Sequence, residues 1–536
     1  MKRLSTLVIT ATMMMSILAG CSPAEEPETD VAGEQQKEET RATDEIVFAN
    51  FRDIRDPNPH LYQGEMWFQE MVYETLVSVE ETGIEPCLAE SWEISEDGKV
   101  YTFKIREGVT FSDGEVCDAN AIKLNFDAIW DNLERHVWLE SANLITKYEA
   151  TDDYTFVITL SEPYYPMLTE LGVTRPYAIC SPKVMKNGTT KDGLTEYIGS
   201  GPYVLKENVT DEYAIFEANP DYWGEQPEIK KVTMKVIPDN QTRVMALENG
   251  EVDLIYGAEL LDAETLAAYE DSKEITPSTS DPSSTRQLIL NSVNPILADE
   301  SVRYALSHAI NKEAISEGIF YGIEAPADFL YAKSLPYCDV ELDPYEYDVE
   351  VAKKHLEDAG WKEGEDGIRV KDGQRLSLRI LYDNNSVTGK TISEYIQSEF
   401  LAIGVELELE GLERQTYFDA LKAGDFDIAH NIAWGSPYDP ESSLAAMRGP
   451  VYGDYAAQQN LPEKAELDQA ITDVFVTTDE AKRQELYDYI IKTLHDSAIY
   501  IPLTYENNKA LYDSELQGVD YVPSLYTIPF WDMSFE

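Results

Sequence analysis

Positive charge is what this chain has least of. Its 536 residues carry 42 Lys and Arg against 100 Asp and Glu, a formal net charge of −58. A body this acidic repels phosphate backbones, which excludes general nucleic-acid binding. Histidine is also scarce, with six residues, and no H-E-x-x-H pair occurs; G-x-S-x-G and G-x-x-x-x-G-K-[ST] are absent too. These absences remove zinc-peptidase, serine-hydrolase and P-loop signatures. Among 100 carboxylates chance acid pairs are plentiful, so none carries a glycosidase signal. Of five cysteines no two have C-x-x-C spacing, which leaves zinc-knuckle and thioredoxin-like readings without support. No enzyme is expected.

Apolar material is present in quantity. Hydrophobic residues make up 43% of the chain, enough for a large core, so wholesale disorder is excluded. Residues 1–20 read as an export signal: Lys2 and Arg3, an apolar run over Leu4–Ile17, then Leu18-Ala19-Gly20-Cys21. The run is short for a membrane span of about 20 residues. Leu18–Cys21 resembles the lipobox of bacterial lipoproteins, which implies cleavage before Cys21 and lipid on its thiol. Ser22–Glu45 holds nine acids, two bases and no Leu, Ile or aromatic residue. Such a segment buries too little to offset ordering entropy, so residues 21–45 are expected to be a lipid-anchored acidic tether. The remaining cysteines (Cys87, Cys117, Cys180 and Cys338) leave two readings open, a Cys87–Cys117 pair or buried free thiols.

Beyond Glu45 strands and helices alternate without a second linker. Asp97-Gly98 marks a hairpin turn between Trp92–Ser95 and Val100–Arg106, where Tyr101, Phe103 and Ile105 alternate with polar residues. Val302, Leu306, Ala309 and Ile310 share one helical face, and Leu486, Ile490 and Leu494 another. Mixed α/β is the expected class. His308 and His355 fall in amphipathic helical stretches, as structural or surface residues.

Several segments then occur in order: Leu88-Ala89-Glu90-Ser91-Trp92, Phe111-Ser112-Asp113-Gly114, Gly199-Ser200-Gly201-Pro202-Tyr203, Asn219-Pro220-Asp221-Tyr222-Trp223-Gly224, Val302-Arg303-Tyr304-Ala305-Leu306 and Tyr347-Asp348 with Ala359-Gly360-Trp361. From about residue 46 to the C-terminus the chain resembles family 5 of the extracellular solute-binding proteins, the dipeptide, oligopeptide and nickel class serving ABC importers. The resemblance implies a two-lobed periplasmic-binding-protein-like fold with mixed sheets and an extra subdomain in the larger lobe. Lobe I would hold residues 46–284 and 505–536, and lobe II residues 285–504. A two-segment hinge would cross near residues 284 and 505.

Asn58-Pro59-His60-Leu61-Tyr62, Arg135-His136-Val137-Trp138, Tyr164-Tyr165-Pro166, Arg175-Pro176-Tyr177 and Trp434-Gly435-Ser436-Pro437-Tyr438 are similar to the nickel-binding branch. The implied guest is a nickel or related metal already wrapped in a small carboxylate- or histidine-bearing chelator. The alternative is a dipeptide or oligopeptide. Planar guanidinium suits carboxylates, and Trp or Tyr supplies flat walls with a polar tip. By resemblance Arg175 is the main clamp and Arg135 a second cation. Trp138, Trp434 and Tyr438 are walls, Tyr62 sits at the rim, and Arg286 at the crossing reaches toward the cleft. The branch's pocket histidine falls on Tyr452, a poor metal donor with a phenol pKa near 10. His60 and His495 are the alternative metal ligands. No intrinsic cofactor is expected. The implied partners are permease and ATPase subunits, with a monomer held by lipid at the extracytoplasmic face of the cell membrane.

Overall fold

Three large sheets organise the chain. The computed structural model describes residues 43–536 except 81, 138, 259, 283, 435–439, 523–525 and 536; the side chains of Trp434 and Ser442 are likewise outside the description. The expected signal peptide, Cys21 and most of the tether therefore lie outside the described residues. The first strand, Glu45–Asn50, begins at the last residue of the segment read as a tether.

That strand is central to a seven-stranded mixed sheet, running parallel to Lys231–Val236 on one side and Leu254–Tyr256 on the other. Lys509–Asp513, near the C-terminus, pairs between Leu254–Tyr256 and Ile275–Thr279. A five-stranded mixed sheet orders Glu406–Leu412, Ser377–Asp383, Ile428–Trp434, Ser284–Leu290 and Tyr500–Glu506. A four-stranded antiparallel sheet spans residues 89–160. Its first hairpin turns at Asp97-Gly98: Gly98 takes φ 67° and Ser95 N–H donates to the Val100 carbonyl. Tyr101, Phe103 and Ile105 are buried, as the alternation predicts.

Helices are seated by acid. Asp118, Asp239, Asp262, Asp299, Asp348 and Asp479 each cap a helix by accepting backbone N–H bonds. Part of the acid excess thus sits where the helix dipole favours it. The predicted apolar faces pack inward: Val302, Leu306, Ala309 and Ile310 are buried, as are Ile490 and Leu494.

The chain passes between the seven- and five-stranded sheets twice, from Ile275–Thr279 to Ser284–Leu290 and from Tyr500–Glu506 to Lys509–Asp513. The two passages hold each other, since Ser280 N–H donates to the Asn508 carbonyl and Asn508 N–H to Ser280 Oγ. Beside them lies a buried ionic knot. Glu324, 1% exposed, accepts from Arg286 Nε at 2.8 Å, Thr504 Oγ1 at 2.8 Å and Lys509 Nζ at 3.5 Å.

The motifs that carry the family resemblance prove to be scaffold. Gly199 and Gly201 lie against the end of the helix Met66–Val72, where a Cβ on Gly199 would sit 2.0 Å from the Val72 carbonyl oxygen. Ser112 N–H donates to the Gly199 carbonyl, and Asn219 Nδ2 to that of Gly201. Trp223 Nε1–H donates to both oxygens of the buried Glu74 carboxylate, at 3.0 and 2.9 Å. Burial pushes Glu74 up to about 7. A carboxyl whose folded pKa is raised contributes stability below its unfolded value of 4.5 and loses it as pH rises through about 7. Glu74→Gln should therefore stabilise the protein by roughly 3 kcal/mol more at pH 8 than at pH 4.5, relative to wild type. Thermal midpoints of both proteins across that range check this; parallel pH profiles would refute it.

All four cysteines of the folded body are free thiols, three of them buried. Among the described residues no helix is long and apolar enough to cross a membrane.

Candidate functional site

The segment Asn58–Tyr62 is locked before it can present anything. Asn58 Oδ1 accepts His60 N–H, Asn58 Nδ2 donates to the Thr190 carbonyl, and Gln69 Nε2 donates to the Asn58 carbonyl. His60 is buried, with Nε2 donating to the Ala178 carbonyl at 3.0 Å and Nδ1 accepting from Thr190 Oγ1 at 2.9 Å. Burial pushes its imidazole down to about 3, so it is neutral. His60 is thus not the metal donor expected from sequence: neither ring nitrogen has a lone pair to offer a guest.

The product of this locking is the position of Tyr62. Its hydroxyl meets His136 Nδ1 at 2.8 Å. His136 is fully buried and pushed down to about 4, first by burial and then by the neighbouring Arg135. A neutral His136 shares a hydrogen bond with the Tyr62 hydroxyl and orients the phenol. Arg135 itself, at the end of the 3-10 turn Leu133–Arg135, is exposed. It lines an open pocket of about 500 Å³ with Gln63, Lys186, Lys191 and Tyr197.

Arg175 lies near enough to Tyr62 for the phenol to affect its titration. Its Nε donates to Gln69 Oε1 at 2.6 Å and its Nη2 to the Gly64 carbonyl. Burial lowers its pKa, opposed by the Glu65 and Glu70 carboxylates and by the phenols of Tyr62 and Tyr526. Those carboxylates are engaged elsewhere: Glu65 pairs with Arg52 Nε at 2.5 Å, and Glu70 accepts from Thr174 Oγ1 at 2.9 Å. Among the described residues no carboxylate forms an ion pair with Arg175. A half-buried guanidinium held from behind by two neutral acceptors keeps its charge for something else.

Arg286 behaves oppositely. Its guanidinium binds Glu324 through Nε and Nη2 and pairs with Glu506, an arrangement that raises its pKa despite burial. The expected reach of Arg286 into the cleft gives way to a structural role at the double crossing. His495 is likewise structural. Its Nε2 donates to the Asp343 carbonyl at 2.9 Å and its ring stacks on Tyr345 at 4.7 Å. Tyr452 precedes the helix Gly453–Gln458 and sets its ring edge-on to Phe418. Burial and Asp454 raise its phenol, so it remains protonated.

Trp138 and Tyr438 lie outside the described residues. The backbone of Trp434 ends the strand Ile428–Trp434 opposite Ser284, at the first passage between sheets. The structure joins Tyr62 to His136, the residue after Arg135, and sets Tyr62 near enough to Arg175 to affect its titration. Two contributors were missed from sequence. Gln69 holds Arg175, and Tyr526 returns from the C-terminal segment close enough to affect its titration. Their separation along the chain gives no local signal. Among the described residues no group of three or more His, Cys, Asp or Glu converges as a metal site.

A half-buried guanidinium with no ion pair among the described residues, beside polar phenols and on a chain that passes twice between its seven- and five-stranded sheets, suits the holding of an anionic guest. Residues 83–454 match the family of bacterial extracellular solute-binding proteins, family 5 Middle, and the chain belongs to that family. It is 40% identical over 494 residues, 91% of this chain and 94% of the relative, to the nickel-binding periplasmic protein of Escherichia coli. It is 26% identical over 464 residues, 85% of this chain and 86% of the relative, to a probable D,D-dipeptide-binding periplasmic protein of the same organism. Among solved structures it is similar to NikA from Brucella suis in complex with Fe(III)-EDTA. The TM-score there is 0.89 and the identity 39%, covering 92% of this chain and all of that one. The fold is accordingly the two-lobed one of solute-binding proteins, and the chain serves an ABC importer.

Proposed function

We propose that the protein captures a nickel or related transition-metal chelate and hands it to an ABC permease. The observation that carries this is Arg175, a half-buried cation whose described partners are a glutamine amide oxygen and a backbone carbonyl. A guest carboxylate supplies the missing counter-charge, and the chelator supplies most or all of the metal's donors. Arg135 and Tyr62 add a second cation and a hydroxyl at the rim, and Trp138, Trp434 and Tyr438 serve as walls.

The acidic exterior does not oppose an anionic guest. Screening acts over about 8 Å at physiological ionic strength, whereas a guanidinium in a closing gap acts through a lower dielectric. Lobe I comprises residues 46–284 and 505–536 and lobe II residues 285–504. Closure is favoured because contacts from both lobes exist only in the closed form; turning a 1:99 equilibrium into 99:1 takes about 5.5 kcal/mol of differential affinity. Cys21 carries the lipid anchor, and the acidic segment tethers a monomer outside the cytoplasmic membrane.

Titration calorimetry tests the guest. Nickel with free histidine should release heat and a dipeptide mixture should not. Heat from dipeptides alone would replace the metal reading with peptide import, the specificity of the 26%-identical relative.

A further inference from the structure

Tyr164-Tyr165-Pro166 matched the nickel branch in sequence, yet it contacts none of the described site residues. Its surroundings are different. Tyr165 follows the four-stranded sheet, which the chain inserts between strands of the seven-stranded sheet, but its partners all belong to the part carrying the five-stranded sheet. Tyr165 Oη meets Tyr337 Oη at 3.1 Å and donates to Glu480 Oε1 at 2.9 Å; Tyr337 Oη also donates to Glu480. Tyr165 N–H donates to the Phe475 carbonyl at 2.7 Å, and Tyr164 packs its ring 6.2 Å from that of Phe475.

Beneath the tyrosines lies Arg483, fully buried, with its guanidinium carbon 3.4 Å from the centroid of the Tyr165 ring. Its Nη1 donates to the Val474 and Thr477 carbonyls, and Nη2 pairs with Glu441 at 3.4 Å. A buried cation facing an aromatic ring is worth most when desolvated, so this contact gains from close approach. Tyr337, stacked on Tyr487 at 4.8 Å, holds φ at 65°, a conformation a bulky residue rarely adopts. Strain of that kind persists where surrounding contacts fix a side chain's position.

We infer that Tyr165, docked on Arg483, Tyr337 and Glu480, is a closure latch: a third link between the halves, not covalent and not made by the guest. The two passages at Ser280 and Asn508 are connected in any conformation, whereas this contact exists only when the halves are together. It biases the unliganded protein toward closure and slows escape of whatever is bound. Tyr165 and Arg483 are positioning residues. The inference rests on two-lobe closure and not on the identity of the guest.

Replacing Arg483 risks the fold, so the test uses Tyr165→Phe and Glu480→Gln. Spin labels on cysteines introduced at Thr146 and Asp488, both exposed, report the separation of the halves by electron double resonance. Without any added guest, both variants should shift population toward longer distances than wild type. With Fe(III)-EDTA as probe, dissociation should quicken about three- to tenfold at unchanged association rate, the scale of one ordinary net hydrogen bond. Unchanged distances overturn the latch, and so does a lowered thermal midpoint with unchanged distances, since the contact would then be packing alone. Should Fe(III)-EDTA not bind, the guest-free distances still decide the latch, and only the metal reading is affected.

Discussion

Arg175→Ala is expected to weaken binding of a nickel–histidine chelate by about 1.5–3 kcal/mol, or roughly ten- to 150-fold. The loss comes from removing a charged donor that the fold leaves without a carboxylate. The same substitution strips Gln69 Oε1 and the Gly64 carbonyl of their donor, bonds that tie residues 106 and 111 positions apart. A moderate drop in thermal midpoint should accompany the affinity loss, so binding is to be measured well below it. Arg175→Lys separates the two effects: charge survives, but the planar fork that grips a carboxylate and donates backward at once does not. Lys should recover part of the stability and little of the affinity. Full chelate affinity in Arg175→Ala would remove the clamp assignment.

Glu324→Ala should cost about 3–5 kcal/mol of stability, the scale for removing one partner of a buried ion pair. Arg286 retains Glu506, but Lys509, whose side chain is 4% exposed, loses its carboxylate and faces the protein interior. Replacing both partners, as Glu324→Leu with Lys509→Met, should recover much of that loss because no charge is left stranded. Thermal and urea unfolding of the two proteins compare the costs. Equal destabilisation of the single and double replacements would show that the ionic knot is not what holds the double crossing. The knot also explains the different fates of two arginines. Arg286 sits where three chain segments meet and is neutralised by two of them, whereas Arg175 forms no ion pair among the described residues.

What the sequence made legible was mainly periodic or local. The hairpin at Asp97-Gly98 and the helical faces at Val302–Ile310 and Leu486–Leu494 follow from patterns within a dozen residues, and the structure contains them. The family motifs were legible as an ordered set, but their physical role was not. Gly199 and Gly201 reveal their need for a bare backbone only when Val72 is placed beneath them. Site residues divide in the same way. Arg175, Arg135 and Tyr62 could be nominated by resemblance, whereas burial of the His60 ring depends on Thr190 and Ala178, more than a hundred residues away. The commitment of Arg286 to Glu324 and Glu506 is equally invisible to a local window. Charge counting fails here for a physical reason: among so many acids, only three-dimensional placement decides which arginines are neutralised.

Diffraction from crystals grown with nickel and free histidine, collected on both sides of the nickel absorption edge, locates the metal without assuming any ligand. Capture as a chelate requires one anomalous peak between the two halves, a guest carboxylate on the Arg175 guanidinium, and a metal whose donors come mostly or wholly from the guest. A peak on His60 or His495, or a gap in which Arg175 faces only water while nickel sits elsewhere, would contradict it.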